Sequence, residues 1–169
     1  LGNHQQAFKD CDKAIELDAE FAEAYSNRAV FHSRSGDYQR AIADLDKAIE
    51  LDPLYMQAYY NRAIANQTLG NHQQALKDYD RVIELAPQHM VAYYNQGRAY
   101  QTSGNYQQAI QNFNRVVELA PQFAEAYFNR GISYDEIGND ERAIADFAKT
   151  STLAPRETEV YARLAKVYE

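Results

Sequence analysis

Along residues 72–86 the apolar residues Ala75, Leu76, Tyr79, Val82, Ile83 and Leu85 form one broad stripe at helical spacing. Just before them, Tyr59, Ala63 and Asn66 succeed one another at intervals of four and three, which predicts a helix over 56–69 and a second over 72–86. Gly70-Asn71 separates the two, because glycine reaches the positive φ that a helix C-terminus prefers. Pro87 stops the second helix, since it has no N–H for the next backbone bond. The stretch 56–89 thus predicts one helix–turn–helix unit.

The unit recurs. Glycines stand at Gly2, Gly36, Gly70, Gly104 and Gly138, 34 residues apart, and five residues beyond each comes Ala7, Ala41, Ala75, Ala109 or Ala143. Tyr25, Tyr59, Tyr93 and Tyr127 precede the last four glycines by eleven residues, and Tyr161 continues the series. Pro53, Pro87, Pro121 and Pro155, all the prolines of the chain, close the units. Four series in one register mark an internal repeat. Small residues at Ala29, Ala63, Gly97 and Gly131 allow close approach within each helix pair while aromatics fill the gaps.

This pattern resembles the tetratricopeptide repeat: an aromatic, a small residue, a turn glycine, an alanine and a proline over 34 residues, nearly all present in Ala92–Pro121. Tyrosine replaces the family's frequent tryptophan. The resemblance implies an all-α fold, a right-handed superhelical solenoid of antiparallel helix pairs. The chain reads as one solenoid over 1–169, with full repeats at 22–55, 56–89, 90–123 and 124–157. Residues 1–21 read as a lone second helix, and 158–169 as a lone first helix. Such half units are expected to leave Phe8, Cys11 and Ile15 at one end, and Val160, Leu164 and Tyr168 at the other, short of a partner. Head-to-tail self-association through the terminal helices is the corresponding expectation. The chain lacks an initial Met, and its opening Leu1-Gly2-Asn3 recurs mid-repeat as Leu69-Gly70-Asn71, which is expected of a segment of a longer protein.

Composition narrows the partners. With 17 basic and 24 acidic side chains the net charge is −7, which repels phosphate backbones and anionic lipid. Protein or peptide is the expected partner, with no nucleic acid and no membrane. Cys11 is the only cysteine and falls in the register of Leu45, Tyr79, Phe113 and Phe147, a core place and not that of a nucleophile. His4 and His72 share the place of Tyr38 and Tyr106, and no two histidines stand at metal-binding spacing on one helix face. No glycine loop suits a phosphate. Neither an enzyme nor a cofactor is expected.

The family resemblance places the first helices on the concave side of the solenoid. There Asn27, Asn61, Asn95 and Asn129 recur nine positions before each turn glycine, and Arg163 takes their place in the last helix. Asparagine is a mediocre helix former, and packing alone favours Ala or Leu. Its amide donates and accepts at once, so it suits the backbone of a bound peptide. The row resembles the asparagine ladder of peptide-holding helical solenoids. The alternative is an amide that bonds only within its repeat. Tyr60, Tyr94 and Phe128 stand one residue before these asparagines, and Ile64, Arg98 and Ile132 three after. They read as aromatic and aliphatic flanks of the groove, or as packing against a neighbouring repeat.

The carboxylate clamp of chaperone-binding family members offers a sharper comparison. Here Arg98, Asn129, Arg163 and Lys166 surround one section, but other basic places of the clamp hold Glu23, Gln57, Val91, Glu125 and Glu159. A full clamp is not expected; a weaker site for an acidic end near Arg98 and Arg163 is. Separately, Arg28, Arg62 and Arg130 each precede an aspartate by sixteen residues (Asp44, Asp78, Asp146), whereas Gln96 precedes Asn112. These places change together and predict an Arg–Asp pair across three helix pairs, with a neutral version in the fourth. The expected role is a scaffold that holds a peptide or partner segment in its groove. The alternatives are a self-assembling structural solenoid and a substrate-targeting arm of a larger protein.

Overall fold

Four glycines in the left-handed region set the repeat. In the computed structural model, Gly36, Gly70, Gly104 and Gly138 have φ of 80°, 80°, 73° and 72°, which a side chain resists. At each, a backbone bond folds the chain back over the helix end: Asn71 N–H donates to the carbonyl of Asn66 at 2.9 Å, and Asp37, Asn105 and Asn139 do the same to His32, Tyr100 and Tyr134. Gly2, which shares their register, instead opens the first helix.

The structure describes residues 2–167, with side chains from residue 5 onward. Among them are ten helices and no strand: α1 (Gly2–Leu17), α2 (Ala22–Arg34), α3 (Tyr38–Leu51), α4 (Met56–Thr68), α5 (His72–Leu85), α6 (Met90–Thr102), α7 (Tyr106–Leu119), α8 (Ala124–Glu136), α9 (Asp140–Leu153) and α10 (Thr158–Val167). The helices expected over 56–69 and 72–86 are α4 and α5, each one residue shorter because Leu69 and Ala86 serve as caps. Between repeats, tyrosines fasten the turn. The hydroxyls of Tyr25, Tyr59, Tyr127 and Tyr161 each donate to the carbonyl six residues back, at 3.3–3.4 Å.

The helices fall into two compact units, Leu1–Pro87 and Gln88–Glu169. In the first, Ala29, Ala41, Leu45, Ala48 and Ala58 form a buried cluster, covered by Tyr25, Ile49 and Tyr55. In the second, Ile110, Tyr134, Ala143, Phe147 and Val160 are buried together, with Phe128, Ile132, Leu164 and Val167 against them. Val160 and Leu164 were expected to lack a partner; they do not, and Val160 is only 1% exposed. A half repeat still lays its inner face on the preceding one. At the other end Phe8 stands edge-on to Phe31 and His32, at 6.2 and 5.4 Å, and Cys11 and Ile15 are half-buried. Burial, aided by Asp12, pushes the Cys11 thiol above its ordinary pKa of 9.0. Tyr168 lies outside the described residues.

Close packing inside two pairs depends on glycine. A Cβ on Gly97 or Gly131 would stand 2.8 Å from the Cε1 atom of Phe113 or Phe147, respectively. The corresponding places in the first unit hold Ala29 and Ala63, across from the Leu45 and Tyr79 register.

All three expected Arg–Asp pairs form, and all are bidentate. Arg28 Nε and Nη2 lie 2.8 and 2.7 Å from the Asp44 oxygens, Arg62 2.9 and 2.7 Å from Asp78, and Arg130 2.8 and 2.6 Å from Asp146. Each guanidinium also uses its third nitrogen, Nη1, on the residue sixteen positions earlier: Asp12 at 2.8 Å, Asp46 at 2.6 Å and Asn114 at 2.8 Å. Each arginine therefore joins three helices, and it lies over a tyrosine ring of its own helix at 5.4–5.6 Å. The Asp44 and Asp146 hydrogen bonds raise the pKa of Arg28 and Arg130; for Arg62, burial opposes the charge but Asp78 and Asp46 outweigh it. Gln96 and Asn112, the neutral counterparts, are both buried, and Asn112 donates to the Gln108 carbonyl at 3.0 Å.

Candidate functional site

In the first unit, α2 and α4 carry Asn27 and Asn61. Asn27 is exposed, and Asn61 is half-buried with its Oδ1 accepting from Gln57 Nε2 at 3.0 Å. Ile64 is 39% exposed, one of the few large apolar side chains left open. A shallow pocket of about 240 Å³ brings Asn61 and Ile64 together with Val30 and Arg34. Tyr60 is half-buried and packs edge-on to Tyr79 at 6.3 Å, so this ring serves the helix pair itself.

The second unit holds the better-formed cavity. A pocket of about 320 Å³ is lined by Tyr94 and Arg98 of α6 and Phe128 and Asn129 of α8, together with buried Thr150 and Val160. Four residues chosen from their repeat positions therefore converge on one concavity, at the small end of the ~300–1,000 Å³ range of ligand pockets. Its aromatic walls are positioned by the second helices: Tyr94 stands 6.0 Å from Phe113, and Phe128 5.9 Å from Phe147. Tyr94 also meets Phe123 edge-on at 5.1 Å.

Asn129 links the walls. Its Nδ2 donates to the Tyr94 hydroxyl at 3.1 Å and to the Glu125 carbonyl at 2.8 Å. The donor side of this amide is thus used within the unit, and among the described residues no donor bonds its Oδ1. Gln101 adds a second tie from α6 to α8, through the Asn129 carbonyl at 2.9 Å and Ser133 Oγ at 3.1 Å. Burial raises the pKa of Tyr94, an effect that the hydrogen bond from Asn129 partly offsets.

Other expected residues lie elsewhere. Asn95 is half-buried on α6, and Ile132 is half-buried against the core of the second unit. Arg163 does not line the pocket; its guanidinium lies 3.6 Å from Asp135 and 3.9 Å from Glu159. Lys166 is exposed at the end of α10. The repeat register missed Thr150, Ala154 and Glu157, which line the pocket from α9 and the turn after it, while Glu125 and Glu159, expected as acidic residues at the clamp's basic places, line it too. Only the spatial neighbours of the first helices, and not their own periodicity, carry a signal for these three. His89, expected merely in a turn, caps α6 by accepting from Ala92 N–H at 3.1 Å. The His4 side chain lies outside the described residues. Among the described residues, no three His, Cys, Asp or Glu side chains are grouped to hold a metal ion, and no helix is long and apolar enough to cross a membrane.

Models of the tetratricopeptide repeat match residues 22–55, 54–122 and 94–157. No curated protein matches the chain. Among solved structures, the crystal structure of MamA shares 25% identity over 94% of this chain and 92% of that one, with a TM-score of 0.86. MamA 41-end from Desulfovibrio magneticus RS-1 shares 28% identity over 86% and 82%, at a TM-score of 0.83. A tetratricopeptide repeat protein from Parabacteroides merdae ATCC 43184 is 24% identical over 99% of this chain and 66% of that one, at 0.85, a likeness of fold.

Proposed function

The chain belongs to the tetratricopeptide repeat family and is a protein-interaction scaffold, and we propose that it works by holding an extended peptide segment of a partner on its first helices. The observation that carries this reading is the second unit's pocket, where Tyr94, Arg98, Phe128 and Asn129 meet. Aromatic walls supply anchoring area, and the open Oδ1 of Asn129 accepts an N–H from the backbone of a peptide. In the first unit Asn61 and Ile64 offer the same pairing of an amide with an open apolar side chain. Sequence-independent amide contacts would give grip, and the side-chain pockets selectivity.

A peptide-array screen on the 169-residue chain tests the reading, run beside an Asn61→Ala/Asn95→Ala/Asn129→Ala variant whose helicity is checked by circular dichroism. Peptides that bind the parent and leave the folded variant support it. Equal binding to both makes the asparagines structural. No binding, with a molecular size that grows with concentration, favours self-association through α1 and α10 instead.

A further inference from the structure

The pocket of the second unit carries a charge opposite to that suggested by Arg98 alone. Glu125 on α8, Glu157 in the turn before α10 and Glu159 on α10 all contribute to its lining and all are exposed, against the single guanidinium of Arg98. Arg163 draws weakly on Glu159 at 3.9 Å. Among the described residues, Glu125, Glu157 and Arg98 enter no ion pair. Three carboxylates around an aromatic-walled cavity, on a chain of net charge −7, form a field that favours a cation.

Resting on the peptide-holding reading, we propose that this pocket receives one basic side chain, arginine or lysine, of the bound segment. Such a side chain matches both parts of the lining. Its methylenes lie along Phe128 and Ala154, as long cationic side chains do on apolar surface. Its charged head is attracted by the face of Tyr94 or Phe128 and by the carboxylates of Glu157 and Glu159. The adjoining backbone N–H is placed for Asn129 Oδ1. An acidic side chain has only Arg98 to meet and three carboxylates to repel it, and a purely apolar one leaves the glutamates unanswered.

The test is a titration monitored in 15N–1H spectra of the 169-residue chain. The probes are N-acetyl-arginine methylamide and its norleucine and glutamate analogues, each at millimolar concentration. The arginine compound is expected to move the amide signals of Asn129, Glu157 and Val160. It should bind at least about tenfold more tightly than the glutamate compound and weaken as salt is added. Glu157→Gln/Glu159→Gln should remove that preference; both residues are exposed, so folding should be intact, as circular dichroism would verify. Equal or tighter binding of the glutamate compound overturns the proposal and makes Arg98 the governing charge. So does a failure of all three to move these signals. If array peptides still bind and the asparagine variant still loses them, only the basic-pocket proposal falls. If the array shows no binding, the peptide-holding reading falls with it.

Discussion

In α4–α5, Arg62 grips Asp78 through two hydrogen bonds and the small-residue place holds Ala63; in α6–α7, the same places hold Gln96, Asn112 and Gly97. Both pairs nevertheless consist of a 13-residue and a 14-residue helix around a glycine at φ of 80° or 73°. Both turns close with the same backbone bond, Asn71 to Asn66 and Asn105 to Tyr100. The buried charge pair is therefore not what shapes a helix pair. Turn geometry and the small residue opposite a large one do that, and the ion pair adds a constraint on which side chains are acceptable.

The comparison breaks most readily at Asp78, whose side chain is 6% exposed. Asp78→Ala leaves Arg62 half-buried with only Asp46, at an expected cost of about 3 kcal/mol in chemical denaturation. Asn112→Ala, at the neutral counterpart, should cost about 1 kcal/mol. Equal losses would mean that the two sites are energetically alike. Next in size is Gly97→Ala, whose new Cβ presses on Phe113; overpacking of roughly 1–3 kcal/mol exceeds the ~1 kcal/mol gained in helix propensity. Adding Phe113→Leu, which reproduces the Ala29–Leu45 combination, should cost less than the two single changes summed. A strictly additive result would show that the ring and the glycine are not coupled.

The neutral swap Arg62→Gln/Asp78→Asn sharpens the point, since it writes one pair's chemistry into the other. We expect a loss of about 1 kcal/mol or less, well below that of Asp78→Ala, because no buried charge is stranded: Asp46, which loses its tie to Arg62, has a side chain 57% exposed. A smaller effect belongs to Asn129→Ala. Losing the bond to Tyr94 should raise that phenol's pKa further, visible in 13C-labelled tyrosine spectra, with about 1 kcal/mol of stability lost. Smallest is a pH effect at Cys11. Its folded pKa is raised, so its contribution is complete below the ordinary thiol range and is lost as pH rises through the raised value. Stability of Cys11→Ser should decline less over that alkaline window than that of the parent.

Much of this architecture was legible because glycine and proline punctuate the chain for stereochemical reasons that no tertiary context reverses. The Arg–Asp pairs were legible for another reason: Gln96 and Asn112 depart together, which exposes a partnership inside a single sequence. The third arginine bond, to Asp12, Asp46 or Asn114, has the same sixteen-residue arithmetic in the opposite direction but no paired substitution to announce it. The pocket was half legible. Tyr94, Arg98, Glu125, Phe128, Asn129 and Glu159 come from the register, whereas Thr150, Ala154 and Glu157 enter only because α9 and the turn after it stand beside them. How Asn129 spends its donors depends on a side-chain rotation that residue spacing does not encode.

Because each arginine reaches sixteen residues forward and sixteen back, its ties depend on offset alone and not on absolute position. Among repeats that carry the Arg–Asp pair, copying a 34-residue stretch restores the same residue types at the same offsets, whereas a deletion of 63–96 sets Arg62 against Asn112 and one of 97–130 sets Gln96 against Asp146. A genetic accident that copies one whole Arg–Asp period would thus deliver a chain whose polar bonds are already matched. An insertion of another length inside a helix of such a period moves one partner off its offset. The ion pairs in this view act as a frame check on growth by duplication, and the length of the array becomes a property that selection can adjust in whole steps.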